Sequence, residues 1–199
     1  MPTQLSYARQ NVVTKEMEYV AAVENIDADV LRRGIAKGTV IIPANINHKN
    51  LKPMAIGKGV KTKINANIGA SKVRASMDEE LEKIRLCIKY GADTAMDLST
   101  GGNLNETREA IINEATIPIG TVPTYQVIEE KQTIDDLKPE DWLDVIEQQA
   151  KQGVDYMTIH AGVLQKTLPL LKGRLTGVVS RGGAILVRWM KANNKENPL

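Results

Sequence analysis

Polar side chains follow short apolar runs at several points of the chain, and the richest such site is a glycine-rich segment. Residues 177–179 (GVV) lead directly into Ser180, Arg181 and Gly182, and residues 184–190 continue as an amphipathic run. We predict a strand, a glycine-rich turn and the start of a helix, which together direct backbone N–H groups and the positive helix end at one point. The Arg181 guanidinium adds a planar set of donors suited to phosphate. The segment therefore predicts a phosphate-binding site.

Two asparagines, Asn65 and Asn67, lie in a stretch of alternating polar and apolar residues, 61–68. Because side chains two positions apart lie on the same face of a strand, these amides share one surface. Each amide offers a donor and an acceptor, which suits the edge of a heterocycle or the hydroxyls of a ribose. The structural alternative is that both residues form the turn at the end of the strand.

Residues 93–98 (DTAMDL) form a predicted strand that places Met96 and Asp97 before a turn at residues 99–102 (STGG). One interpretation is a loop that faces a substrate. The other is that Asp97 or Ser99 caps the next helix and that Met96 belongs to the core. The sequence does not decide between them.

Two more candidates lie near the ends of predicted strands. Tyr125 follows the strand of residues 117–122, and His160 ends the strand of residues 154–160. A tyrosine beside a loop needs no functional explanation. The structural alternative for the histidine is a hydrogen-bonded residue of the core. In the functional interpretation, the His160 imidazole acts as a general acid or base, or donates to a substrate.

Familiar metal and nucleotide motifs are missing from the sequence. It contains two histidines, His48 and His160, and one cysteine, Cys87, with no CxxC or HExxH spacing. These residues do not form a metal site of known pattern, so we predict none within the chain. The GxGxxG pattern of dinucleotide-binding proteins is missing too. Cys87 lies in a helical pattern, which favours a buried structural thiol.

Composition excludes several classes of function. A net charge of +2 and an aromatic content of 4% argue against nucleic-acid binding. No apolar run approaches about 18 residues, so we predict no membrane span. No secretory signal opens the chain, and the single cysteine fits a reducing compartment.

Strands alternate with helices through short links, which predicts βα units and a parallel sheet. A doubly wound sheet and a (β/α)8 TIM-type barrel both fit this α/β pattern. We favour the barrel, because polar groups stand at the carboxyl end of every predicted strand. Eight units need about 250 residues, so we expect an incomplete barrel of the first five or six βα units.

The N-terminal residues, 1–38, carry two weak helical patterns that begin at the capping residues Thr14 and Asp27. We interpret this segment as a helical arm with too few large apolar residues to close a core. Residues 39–199 then form the N-terminal part of the barrel.

The sequence also resembles a known family, the phosphomethylpyrimidine synthases of thiamine biosynthesis. The resemblance runs nearly the whole length with little insertion. The matching stretches are SYARQNVVTKEMEYVA (6–21), IIPANINH (41–48), KINANIGAS (63–71), GADTAMDLSTGGN (91–103), PIGTVPTYQ (118–126), QGVDYMTIHAGVL (152–164) and TGVVSRGGAILVRWM (176–190).

The resemblance implies a radical S-adenosylmethionine lyase with a (β/α)8 barrel, a homodimer of the cytoplasm or the plastid stroma. It implies conversion of 5-aminoimidazole ribotide to 4-amino-5-hydroxymethyl-2-methylpyrimidine phosphate, with release of formate and carbon monoxide. It also implies a [4Fe–4S] cluster and a zinc-type metal ion. His160 is the candidate catalytic residue. The implied substrate contacts are Asn67, Met96, Tyr125, His160, Ser180, Arg181 and Gly182.

The family ligands for the cluster and the metal do not match any position in residues 1–199, and a later Asp-Gly-Leu-Arg substrate loop is also missing. We therefore expect that the chain supplies part of the substrate pocket, that the C-terminal part of the barrel and the cluster domain are missing, and that this piece alone is inactive. Two alternatives stay open: the related 5-hydroxybenzimidazole synthase, and a non-catalytic fragment that binds the ribotide.

Overall fold

The computed structural model describes residues 2–131 and 133–199 of the chain. Its helices are α1 (Gln4–Arg9), α2 (Lys15–Glu24), α3 (Ala28–Ala36), α4 (Met77–Lys89), α5 (Leu104–Glu114), α6 (Pro123–Lys131), α7 (Pro139–Gln152) and α8 (Arg181–Asn193), with a 3-10 helix at Gln165–Leu171. Its strands are β1 (Val40–Ile41), β2 (Ile56–Gly57), β3 (Asn65–Ile68), β4 (Thr94–Asp97), β5 (Ile119–Thr121) and β6 (Tyr156–Met157). None of the helices in these ranges is long and apolar enough to cross a membrane.

Helices α2 and α3 begin where their capping side chains predict. Thr14 Oγ1 accepts a hydrogen bond from the Met17 N–H at 3.3 Å, and Asp27 Oδ1 accepts one from the Asp29 N–H at 3.0 Å. These bonds satisfy N–H groups that have no partner within the helix. Both predicted helices are confirmed. Helix α3 is followed by Gly38, whose φ of 71° suits a residue without a side chain.

The N-terminal helices pack on a buried core that they share with the residues that follow them. Met17 and Leu31 are almost fully covered, and small side chains such as Ala8 pack beside them. Val40 and Ile42 belong to the same cluster and lie beyond residue 38. The expectation that residues 1–38 alone have too few large apolar residues to close a core stays a prediction, since Val40 and Ile42 help to complete the cluster.

The four strands β3 to β6 form one parallel sheet in the order β3-β4-β5-β6. Helix α4 connects the first pair, α5 connects the second, and α6 with α7 connects the third. Consecutive order is the one that a (β/α)8 barrel uses, whereas a doubly wound sheet reverses its order at a switch point. The observed architecture is thus a mixed α/β fold built on a parallel four-stranded sheet.

Two predicted strands differ most from the structure. Residues 177–179 pair with no strand among the described residues, Gly177 has a left-handed φ of 59°, and Val179 is 75% exposed. The strand prediction there is wrong, because apolar β-branched residues favour extended backbone but a strand also needs a neighbour. The strand predicted at 154–160 is confirmed only at Tyr156–Met157. The helix predicted after residue 180 is confirmed as α8.

The two faces of the parallel sheet differ in character. Ile68, Ala95 and Ile119 point toward the helices and pack with Ile84 of α4 and Ile111 of α5. Alternate residues point the other way, as strand pleating requires. We call this second surface the polar face; its residues are Asn65, Asn67, Thr94, Met96, Gly120 and Tyr156.

Candidate functional site

Strand register aligns the centre of the polar face. Asn67 is opposite Met96, Met96 is opposite Gly120, and Gly120 is opposite Tyr156. Side chains at paired positions of neighbouring strands point to the same face. Two of the predicted site residues, Asn67 and Met96, are therefore direct neighbours.

Tyr156 lies across the sheet above Gly120, and only a glycine leaves room for it there. A Cβ atom on Gly120 would lie 2.2 Å from Cε2 of the Tyr156 ring, far inside contact distance. The Tyr156 hydroxyl accepts a hydrogen bond from Thr94 Oγ1 at 2.8 Å and donates to Asn65 Oδ1 at 2.9 Å. Asn65 Nδ2 then donates to Asn67 Oδ1 at 2.9 Å.

This chain of hydrogen bonds fixes the amide of Asn67. Burial raises the pKa of Tyr156, although its hydrogen bond with Thr94 acts in the opposite direction. The phenol is therefore a neutral donor near pH 7. With its oxygen engaged by Asn65, Asn67 retains its own amide N–H groups to offer to a ligand.

Met96 lies on the polar face and not among the helix-packed residues, so the core interpretation of this residue is wrong. Its Sδ atom accepts a hydrogen bond from Thr158 Oγ1 at 3.7 Å. Met96 is half-buried, and a thioether offers a polarizable apolar surface suited to a ring.

Asp97 and Ser99 do not cap the next helix, so that interpretation of the sequence is wrong. Asp97 is buried on the helix side of the sheet and accepts from the Ser99 N–H at 2.9 Å. The Ser99 hydroxyl in turn accepts from the Ala70 N–H at 2.9 Å. Asn103, not either of these residues, caps α5. The pair therefore joins the loops that follow β3 and β4.

His160 packs on the start of α8. A Cβ atom on Gly182 would lie 2.2 Å from His160 Cε1 and 2.4 Å from its Nε2, so the ring occupies the space that the glycine leaves. Ser180 caps this helix through a bond from the Gly183 N–H to its Oγ, at 3.1 Å. The ring thus contacts a helix N-terminus, whose partial positive charge disfavours a protonated imidazole.

The buried His160 Nδ1 atom has no hydrogen-bond partner among the described residues. Burial lowers the pKa of His160 below its ordinary value, so the ring is neutral at pH 7. A neutral imidazole carries one donor and one acceptor nitrogen. An orphaned buried nitrogen calls for an explanation, and a bound ligand group is one.

The Arg181 side chain is partly shielded from solvent by contacts with α6. Its guanidinium carbon lies 5.1 Å from the centre of the Tyr125 ring, and its Nη2 donates to Glu129 Oε1 at 3.2 Å. Tyr125 and Glu129 are one turn apart on α6, so they present one surface to Arg181. Lys72 approaches the same carboxylate, with Nζ 2.6 Å from Glu129 Oε2.

The predicted site residues therefore form two groups. Tyr125, His160, Ser180, Arg181 and Gly182 meet around the N-terminus of α8. Asn67 and Met96 lie on the polar face, joined to the first group through Thr158, which contacts Met96 and precedes His160 by two residues.

Sequence reasoning missed Tyr156 and Glu129. The signal for Tyr156 was Gly120, because a glycine inside a strand often marks a close approach of another group. The signal for Glu129 was its spacing of four residues from Tyr125, but this required knowing that residues 123–131 form a helix. Pro123 begins that helix, a position that suits proline.

The described residues also line cavities away from this site. One of about 570 Å³ is lined by Leu5, Ile42 and Asp155, and one of about 470 Å³ by Tyr19 and His48. Both border the N-terminal helices, away from the predicted site residues. We place the candidate site by its chemistry and not by cavity size.

The fold and site define a class: an α/β protein whose parallel sheet has a polar face, next to a helix N-terminus that carries an arginine. The sequence model of the radical SAM ThiC family matches residues 3–199, and the chain belongs to this family. Membership supports a role in the synthesis of the thiamine pyrimidine and in radical S-adenosylmethionine chemistry.

The residues of this chain do not fit an iron–sulfur cluster. Such clusters are held by several cysteine thiolates, and the one cysteine, Cys87, lies in α4 with its pKa raised by burial. His48 Nδ1 is 2.7 Å from Asp155 Oδ2 and its Nε2 is 2.9 Å from the Ala115 carbonyl, so both nitrogens are engaged. Across residues 2–131 and 133–199, no group of three His, Cys, Asp or Glu side chains could hold a metal ion.

Proposed function

We propose that this chain forms part of the pocket for 5-aminoimidazole ribotide in a carbon–carbon lyase of thiamine pyrimidine synthesis. The product is 4-amino-5-hydroxymethyl-2-methylpyrimidine phosphate, with release of formate and carbon monoxide. The family match supports the reaction class. One observation carries the pocket: Tyr125, His160 and Arg181 meet at the start of α8, next to the polar face.

The ribotide phosphate binds at the start of α8. The first-turn N–H groups and the positive end of the helix favour an anion there. Arg181 gives one hydrogen bond to Glu129 and has further N–H groups for the phosphate oxygens. Tyr125 lies under the guanidinium and holds its plane through a cation–π contact.

The imidazole ring of the ribotide lies on the polar face. The Asn67 amide donates to the ring edge, oriented by Asn65 and Tyr156. Met96 supplies an apolar surface beside it. His160 completes the pocket from the side of α8 and holds or moves a proton at its buried Nδ1 atom, which has no protein partner in the described chain.

S-adenosylmethionine, a [4Fe–4S] cluster and a zinc-type metal ion belong to this proposal as the family's cofactors, and the family's cluster and metal ligands match no position in residues 1–199. The residues named above bind and orient the substrate and exclude water, which are roles that the protein performs in cofactor enzymes. We also propose a homodimer located in the cytoplasm or the plastid stroma.

Titration calorimetry of the protein encoded by the full gene tests the pocket. We expect the parent protein to bind 5-aminoimidazole ribotide and the Asn67→Ala variant to bind it more weakly. Asn50→Ala is the matched control, since the Asn50 amide donates to the Asn113 carbonyl, away from the candidate site. No binding by the parent protein would refute the proposal. Mass spectrometry of the turnover product separates a pyrimidine phosphate from 5-hydroxybenzimidazole.

A further inference from the structure

Lys72, Glu129 and Arg181 form what we call the cationic cluster. The Glu129 carboxylate is largely buried, at 14% exposure, and uses one oxygen for each partner: Oε2 for Lys72 and Oε1 for Arg181. Both cations are far more exposed than the carboxylate, at 68% and 48%. Each therefore keeps N–H donors directed away from Glu129.

The three residues come from separate parts of the chain. Lys72 follows β3, Glu129 lies on α6, and Arg181 begins α8. The Lys72 backbone is itself fixed, because a Cβ atom on Gly101 would lie 2.6 Å from the Lys72 nitrogen. The Thr100 N–H also donates to the Ala70 carbonyl at 2.8 Å, which fastens the same loop. Lys72 is thus held near Arg181 by backbone packing as well as by charge.

The number and placement of its cations indicate what the cluster is for. A phosphate monoester carries a charge of roughly −1.5 to −2 at pH 7. Arg181 is one cation at a helix end that adds about half a positive charge. Lys72 brings a second cation, while Glu129 keeps the net charge of the cluster at one, the same as for Arg181 alone. The cluster therefore differs from Arg181 alone in that two cations can approach two different phosphate oxygens.

We propose that Glu129 is a positioning residue that holds Lys72 and Arg181 together, so that Lys72 is a second cationic ligand of the substrate phosphate. This inference rests on the proposed function. It makes Lys72 and Glu129 determinants of specificity for a phosphorylated substrate over its dephosphorylated form.

The test compares binding of 5-aminoimidazole ribotide and of its riboside to the full-length protein. We expect Glu129→Gln to weaken ribotide binding about tenfold, the size of one charge-assisted hydrogen bond, and to leave riboside binding unchanged. Glu130→Gln is the matched control, because it removes the same charge from the next residue, whose carboxylate contacts Gln126 instead. Tighter ribotide binding by Glu129→Gln would overturn the inference, since it would make Glu129 only a competitor for the cations.

A double-variant cycle tests the coupling. Lys72→Met should weaken ribotide binding about tenfold in the parent protein and much less in the Glu129→Gln background, because Lys72 is then no longer held in place. Equal losses in both backgrounds would overturn the inference. If the parent protein binds ribotide and riboside with equal affinity, the proposed phosphate site is wrong. If it prefers ribotide but Glu129→Gln and Lys72→Met bind as the parent does, only the proposed role of Glu129 and Lys72 is wrong.

Discussion

The polar face and the cationic cluster lie at the same candidate site but are built from different interactions. On the polar face, neutral groups of Tyr156, Asn65 and Asn67 form a relay in which each hydrogen bond fixes the next. In the cationic cluster, full charges on exposed side chains meet one largely buried carboxylate. The polar face is therefore sensitive to shape and insensitive to salt, whereas the cluster is sensitive to charge and screened by salt.

The largest expected effect is on the polar face. Gly120→Ala should lower the free energy of unfolding by about 3 kcal/mol, because the new methyl group displaces the Tyr156 ring and its hydrogen bonds are lost. Urea denaturation measures this. The double variant Gly120→Ala with Tyr156→Leu should recover part of the loss. No recovery would show that the contact with Tyr156 is not the cause.

The cluster should respond in binding and not in stability. Arg181→Ala should weaken ribotide binding by roughly 1.5–3 kcal/mol, since a charge-assisted hydrogen bond is lost, with little change in unfolding because the side chain is half exposed. Lys191→Ala is the control, an exposed cation in the last turn of the same helix. Calorimetry at two salt concentrations should show the difference shrinking as salt rises. Equal effects of Arg181→Ala and Lys191→Ala on ribotide binding would show that the cationic cluster makes no special contribution to binding.

A smaller effect is expected for Tyr156→Phe, which keeps the ring above Gly120 and removes only the hydroxyl. Loss of its bonds to Thr94 and Asn65 should cost about 1 kcal/mol of stability. Ribotide binding should weaken as well, because Asn67 loses its fixed orientation. Unchanged binding in this variant would mean that the relay does not reach Asn67.

The smallest effect concerns pH. Burial lowers the pKa of His160 in the folded protein below its unfolded value of 6.5, so as pH falls the unfolded chain takes up its proton first. The contribution of His160 to stability is therefore complete above pH 6.5 and is lost as pH falls toward the folded pKa. Between about pH 7.5 and about pH 5, the parent should lose more stability than His160→Gln. Parallel curves of unfolding free energy against pH for the parent and for His160→Gln would contradict this prediction.

Local structure was predictable where a side chain hydrogen-bonds to the backbone of residues close to it in the sequence. Asp27 and Gly38 bracket α3, and Ser76 caps α4 through the Glu79 N–H. Strands were predictable in position but not in length, because pairing with a neighbour decides how far each strand extends. The segment at 177–179 is an exception in position as well, since its composition favours a strand but it has no strand partner among the described residues.

The candidate site was predictable only in part. A helix start after Ser180 and a shared face for Asn65 and Asn67 follow from short-range spacing. The salt bridge of Arg181 with Glu129 joins residues 52 positions apart, and that of Lys72 with the same carboxylate depends on the packing of two loops. Contacts of this kind depend on tertiary packing, which single-residue patterns do not contain.

The two tryptophans of the chain, Trp142 and Trp189, contact each other with ring centres 5.6 Å apart at an angle of 78°. Trp142 belongs to α7, and Trp189 lies on α8 about two turns beyond Arg181. All intrinsic tryptophan emission and the near-ultraviolet dichroism of this pair therefore originate at one junction. A shift of α8 by an incoming anion becomes an optical signal that needs no label.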